Sequence, residues 1–147
     1  MPLIILFAWS LVASTVVVHA IGLALMLRFL SRFGGVPPRH LWAISWRLIW
    51  VACCLILLHV AEITIWGMFY RWQECLPDAE STFYFSGVTY TTIGYGDVVL
   101  AKPWRLFGPI EGLTGILMCG LSTGFFFAEV NFIYQYIRAK ADSKSAT

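Results

Sequence analysis

Thr91-Thr92-Ile93-Gly94-Tyr95-Gly96-Asp97 is the stretch whose residue types and spacing can do chemistry. A run alternating glycine with larger side chains makes a poor helix interior, because each Gly costs about 1 kcal/mol against Ala there. Glycine accepts φ > 0 without steric penalty, so Gly94 and Gly96 let successive carbonyls point to one side of an extended strand. The product is a ladder of oxygens. A dehydrated monovalent cation takes a ring of such oxygens in place of its water shell. A strand of this kind has to be held by its surroundings. Before it lies a short aromatic segment, about Ala79 to Thr91, and on either side of that unit lie two long apolar runs. A lone Gly-Tyr-Gly triplet is an ordinary tight turn; the Thr-Thr and Asp flanks and the apolar runs set this one apart.

The stretch resembles the pore of a potassium channel, whose TVGYG loops supply the carbonyl rings of the selectivity filter. Thr92-Ile93-Gly94-Tyr95-Gly96 matches that filter position by position, with Ile93 where Val is common, and Asp97 matches the acid at its outer mouth. The resemblance covers roughly residues 45 to 138. It implies that Thr92 supplies a hydroxyl and a carbonyl, and that Ile93, Gly94 and Tyr95 supply carbonyls above it. It also implies a homotetramer, since one chain carries one strand of the ring, with K+ as the permeant ion and no cofactor. Tyr84 and Phe85 fall where the family packs aromatic residues around the filter. Val88 departs from those members that carry a Glu behind the filter to bond the outer Asp, which leaves open what steadies Asp97. Gly115 resembles the family's inner-helix hinge by its distance after the filter.

Composition calls for lipid. Of 147 residues, 59% are hydrophobic and 12% charged, and the mean hydropathy is +0.76. A soluble domain of this length cannot hide so much apolar surface. The formal charge of +2 is too small to argue for a nucleic-acid partner, and the basic residues flank apolar runs as membrane-flanking residues do. Cys53, Cys54, Cys75 and Cys119 show no metal-ligand spacing. Three fall in apolar helices as packing residues, and Cys75, in a polar loop, is the one disulfide candidate.

The expected fold is an all-α integral membrane protein with three transmembrane helices, a re-entrant pore helix and a filter. Leu3 to Leu27 carries no formally charged side chain and spans about 37 Å as a helix, enough to cross a bilayer. It lacks the basic n-region of a signal peptide. Residues 1–33 thus form an additional N-terminal transmembrane helix. Residues 34–47 form a connector broken by Gly34-Gly35 and Pro37-Pro38. Residues 48–138 form the pore domain, with an outer helix over 48–70, a pore helix over 79–91, a filter over 92–97 and an inner helix over 104–138. A tail over 139–147 follows, with no soluble regulatory domain. Asp78 is the expected N-cap of the pore helix, which is too short to cross lipid and has to be buried in protein. Arg28, Arg32, Arg39, Arg47, Arg138, Lys140 and Lys144, seven of the ten Lys and Arg residues, share one side under this topology. The positive-inside rule makes that side cytoplasmic and puts the N-terminus outside. No arginine repeat at every third position exists to sense voltage.

On the inner helix, the i, i+3, i+7 spacing puts Ile116, Cys119 and Thr123 on one face, the expected cavity lining. Phe126 or Phe127, a turn further on, is the candidate apolar constriction. Three acids lie in or beside the apolar runs. Glu62 shares a helix face with His59, three residues before it, and must face protein, be protonated, or both. A hydrogen-bonded packing contact with a neighbouring helix is the preferred reading, as it is for His19. Glu111 lies at a similar depth, and two acids at one depth can share a proton. Glu129, near the inner end, is a candidate member of an acidic ring at the cytoplasmic mouth, or a solvated interfacial acid.

A potassium-selective channel is therefore the expected function, with a weakly selective cation channel or a non-conducting accessory subunit as alternatives. Gly94-Tyr95-Gly96-Asp97 also matches the GxGD motif of intramembrane aspartyl proteases. That chemistry needs a second aspartate, and Asp78 and Asp142 are both expected outside the hydrocarbon, so no enzyme is expected.

Overall fold

The computed structural model describes residues 2–33 and 40–145. Four helices follow in order: α1 (Pro2–Phe33), α2 (Leu41–Trp72), α3 (Ala79–Tyr90) and α4 (Phe107–Ser145). Among the described residues there is no strand. Three helices, α1, α2 and α4, are long and apolar enough to cross a membrane.

The long helices outrun the spans read from hydropathy. Helix α2 starts at Leu41, inside the expected connector, because Leu41 to Trp66 contains no Gly or Pro to stop it. The Gly34-Gly35 and Pro37-Pro38 breaks, with Arg39, lie outside the described residues. Helix α4 starts at Phe107 after a turn in which the Trp104 amide donates to Ala101 O at 3.0 Å. Pro109 sits in the first turn of α4, where its missing N–H costs no intrahelical bond. Helix α4 continues through Ser145 into the expected tail, as its helix-forming Ala and Lys residues allow.

Helix α3 packs between α2 and α4, and α1 lies against both. One apolar cluster holds Trp66, Tyr70, Phe85, Tyr90, Phe107 and Met118. Stacking of Phe69 on Phe107, ring centroids 5.2 Å apart, closes its upper end, with Phe7 of α1 tilted against Phe69 at 5.6 Å. A second cluster, Met26, Leu30, Val51 and Leu55, joins α1 to α2 near their other ends. Polar side chains bridge the helices in between. The Trp66 indole N–H donates to the Thr15 hydroxyl at 3.0 Å, which in turn donates to Leu11 O at 2.9 Å. Most large apolar side chains on the outside, such as Trp9, Leu57 and Leu113, are exposed, as suits a chain whose solvent is lipid or a second copy.

Gly115 is the most tightly packed of the described glycines. A Cβ there would stand 2.0 Å from the backbone oxygen of Tyr90 at the end of α3. The position expected to be a hinge is thus a packing contact that lets α4 lie on the C-terminal end of α3, and α4 runs through it unbroken. Gly115→Ala is expected to destabilise the chain by about 1–3 kcal/mol, the usual cost of overpacking. Gly120→Ala, with nothing within 4 Å, is expected to cost nothing, and denaturant titration of the two variants checks both.

Candidate functional site

The site begins at the cap of α3. Asp78 has extended backbone, and its side chain accepts from the Ser81 amide at 2.7 Å and the Ser81 hydroxyl at 2.8 Å. The Ser81 amide, foremost, holds the Asp78 carboxyl below its ordinary value. Glu80 adds negative charge near the positive end of the helix dipole. The cap fixes where the short helix starts.

Two buried acids fix where it ends. The Tyr90 hydroxyl, on the last residue of α3, donates to Glu62 Oε2. His19 Nδ1 of α1 lies 2.8 Å from Glu62 Oε1, and His59 Nδ1 lies 3.0 Å from the Tyr90 oxygen. On the other flank Tyr70 donates to Glu111 Oε2 at 2.7 Å, and the Ser86 hydroxyl lies 2.6 Å from Glu111 Oε1 and 2.8 Å from Ile63 O. A hydroxyl has one proton to give. That set is fully satisfied when Glu111 carries a proton on Oε1 and donates to Ser86, which then donates to Ile63 O. The two acids do not meet to share a proton: Glu62 meets His19, His59 and Tyr90, whereas Glu111 meets Tyr70 and Ser86. The packing reading of His19 and Glu62 holds.

Beyond Tyr90 the backbone leaves the helix. The amides of Ile93 and Gly94 both donate to Val88 O, at 3.0 and 3.2 Å, which curls the chain over the helix end. From there every second residue is left-handed: Thr92 has φ 62°, Gly94 58° and Gly96 78°. Among the described residues, no backbone hydrogen bond outside the helices ends on a carbonyl of Thr92 to Gly96. Left-handed backbone is easy for the glycines, but costs a β-branched residue such as Thr92 about 1–3 kcal/mol. Ile93 and Tyr95 turn their side chains outward, 55% and 70% exposed on the single chain.

Asp97 follows, and the question Val88 left open has an answer. Tyr84 donates to Asp97 Oδ2 at 2.8 Å, and the Val98 amide donates to Oδ1 at 3.1 Å. Phe85 is buried against Tyr70, while Val88 is half-buried. Tyr84, Val88, Thr92, Asp97 and Gly112 line a pocket of about 330 Å³ behind the segment.

Along α4, Ile116, Cys119 and Thr123 are exposed on the chain. Phe126 instead is half-buried against the Met26–Leu55 cluster. Phe127, 70% exposed, stays available for a constriction. Glu129 is 8% exposed and ion-paired with Arg47 of the same chain, which corrects the acidic ring: its charge is spent within the fold. All four cysteines are free, and burial pushes the Cys75 thiol up to about 11. The partners Tyr70, Ser86, Tyr90 and Arg47 were not singled out from sequence. The only signal for them was that carboxylates inside apolar runs need donors.

Residues 54–131, which take in most of α2, all of α3 and the first two thirds of α4, match the family model of an ion channel domain. The match covers 78 of the 147 residues, and the chain belongs to this ion channel family as a multi-pass membrane protein. No curated protein and no solved structure matches it. Helix α1 lies outside the matched region, yet His19 on it contacts Glu62 inside.

Because the Asp78 carboxyl is held low in the fold, its capping bond is complete above the unfolded-state value of about 3.9 and is lost as pH falls through the lowered folded value. Hydrogen-exchange protection of the Ser81 amide is expected to persist through neutral and mildly acidic pH and to fall only below the ordinary carboxylate range. Asp78→Ala is expected to lack that protection at every pH.

Proposed function

We propose that this protein is a potassium-selective channel in which four copies surround one axis, each contributing the Thr92-Ile93-Gly94-Tyr95-Gly96 strand. The alternation of left-handed backbone at Thr92, Gly94 and Gly96, with carbonyls that accept no backbone hydrogen bond, carries this reading. Buried or axial carbonyls do not stay unpaired. A desolvated K+ ion is the partner that suits oxygens lined up on one side of a strand. The exposed face of that strand is what further copies would complete. Conduction is then passive: carbonyls of Thr92 to Tyr95 replace the hydration shell, and repulsion between ions in adjacent sites lets each one leave. No catalytic group takes part.

In this reading Asp97 sits at the outer mouth, held by Tyr84, so the filter is steadied from the pore helix without an acid at position 88. Ile116, Cys119 and Thr123 line the inner cavity, with Phe127 as the constriction below it. The N-terminus of α1 is outside and the C-terminal end of α4 is cytoplasmic, in keeping with the basic residues near α1's last turn and α4's end. Membrane lipid covers the outer surface. A weakly selective cation channel is the second reading. The left-handed Thr92 favours it, because relaxing a strained residue there would turn the innermost carbonyl away.

Reversal potentials of the purified protein in a planar bilayer, potassium on one side and sodium on the other, test the choice. A value near the potassium equilibrium potential is expected. Gly94→Ala puts a side chain on a backbone at φ 58° and is expected to abolish the selectivity or the current. A wild-type current that barely distinguishes the two ions would favour the second reading, and silence under all conditions would favour an accessory subunit.

A further inference from the structure

Beside the conduction path, His19 of α1 and His59 and Glu62 of α2 bring ligand atoms to within 4.8 Å of one another. We propose that these three side chains form a site for a zinc-class divalent ion, with the Tyr90 hydroxyl at its fourth corner. The inference does not depend on which ion the pore carries.

The spacing is the first argument. His19 Nδ1 lies 2.8 Å from Glu62 Oε1, His59 Nδ1 lies 3.4 Å from Glu62 Oε2, and His59 Nδ1 lies 3.0 Å from the Tyr90 oxygen. Around a tetrahedral ion with bonds of about 2.0–2.1 Å, neighbouring donors stand about 3.3 Å apart. These pairs are close to that spacing and the ligand atoms of all three residues lie within 4.8 Å of one another, so side-chain adjustments can bring them onto one ion in place of the protons between them.

Donor type is the second. Two imidazoles and one carboxylate suit zinc and its neighbours in the transition series, whereas magnesium and calcium favour all-oxygen sets. Glu62 is wholly buried and His19 is 1% exposed, and the sequence therefore sets two polar side chains where an apolar residue would be cheaper.

Access is the third. The His59 side chain, 19% exposed, opens into a groove of about 340 Å³ between α2 and α4. Cys119, Ser122 and Thr123 form the opposite wall. An ion entering there meets His59 first, then Glu62 and His19. Once bound, it ties α1 to α2 and takes Glu62 from the Tyr90 hydroxyl, two residues before the strained Thr92. Helix α1 thereby acquires a role in what the strand can do.

Calorimetric titration of the full-length protein in detergent with zinc chloride tests this, alongside cobalt absorption. One zinc ion per chain is expected, with cobalt giving the strong visible bands of a tetrahedral site and zinc displacing it. His19→Gln and His59→Gln are each expected to weaken binding at least about tenfold, since loss of a mere supporting partner already costs that much. Cys75→Ser is expected to leave binding unchanged. Unaltered affinity in both histidine variants, loss of binding in Cys75→Ser, or only the weak bands of an octahedral cobalt complex would each overturn the proposal. Should the histidine variants fail to fold, copper bound to the native chain decides. Nitrogen couplings from two imidazoles in its electron spin resonance are expected, and their absence would overturn it.

Discussion

Two carboxylates buried on either side of a twelve-residue helix are what the rest of the structure depends on. Helix α3 is far too short to cross a bilayer, and its free carbonyl end cannot be left in hydrocarbon. Glu62 holds its last residue through the Tyr90 hydroxyl, and Glu111 holds its middle through Ser86. Acids at such depth are expensive unless hydrogen-bonded. Here the expense is offset by hydroxyl and imidazole donors drawn from α1, α2 and α3, so the acids pin the short helix to its neighbours. What the pins fix is the direction in which the chain leaves Tyr90.

That direction matters because the next residues are held against their own preferences. Thr92 is left-handed, its neighbours Ile93 and Gly94 hang on one carbonyl of α3, and the segment ends at an aspartate gripped by Tyr84. A strained run persists only where its surroundings over-determine it. Gly115 completes the support by letting α4 touch the Tyr90 backbone, and the Arg47–Glu129 pair ties α2 to α4 toward the other end. Helix α1, outside the family's matched region, joins the same network through His19 and Thr15.

Features encoded locally were legible in the sequence. The Asp78 cap and the three long apolar helices each follow from residues adjacent in the chain, and the structure has both; the family match agrees with the reading as an ion channel. Features that depend on which face meets which were not. A helix apolar on all sides offers no stripe from which to read its rotation. Phe126 was therefore grouped with Phe127, although it turns toward α1 and α2, and Glu129 was set on a pore mouth, although it turns to Arg47. Glu62 and Glu111 read from the sequence as acids at a similar depth, but depth says nothing of Tyr90 and Ser86, the α3 side chains that each of them meets. Gly115 shows the same limit, since a glycine in a helix reads as a bend until the backbone touching it is known.

The central claim is that carbonyls of residues 92 to 95 from four copies coordinate a dehydrated monovalent ion on a common axis. Anomalous scattering from crystals of the full chain grown with thallium, a heavy ion of potassium's charge and similar size, tests it most directly. The account predicts four-fold packing and a row of thallium peaks on that axis level with Thr92, Ile93, Gly94 and Tyr95. A different number of copies, or an axis with those carbonyls turned away and no thallium between them, would contradict it.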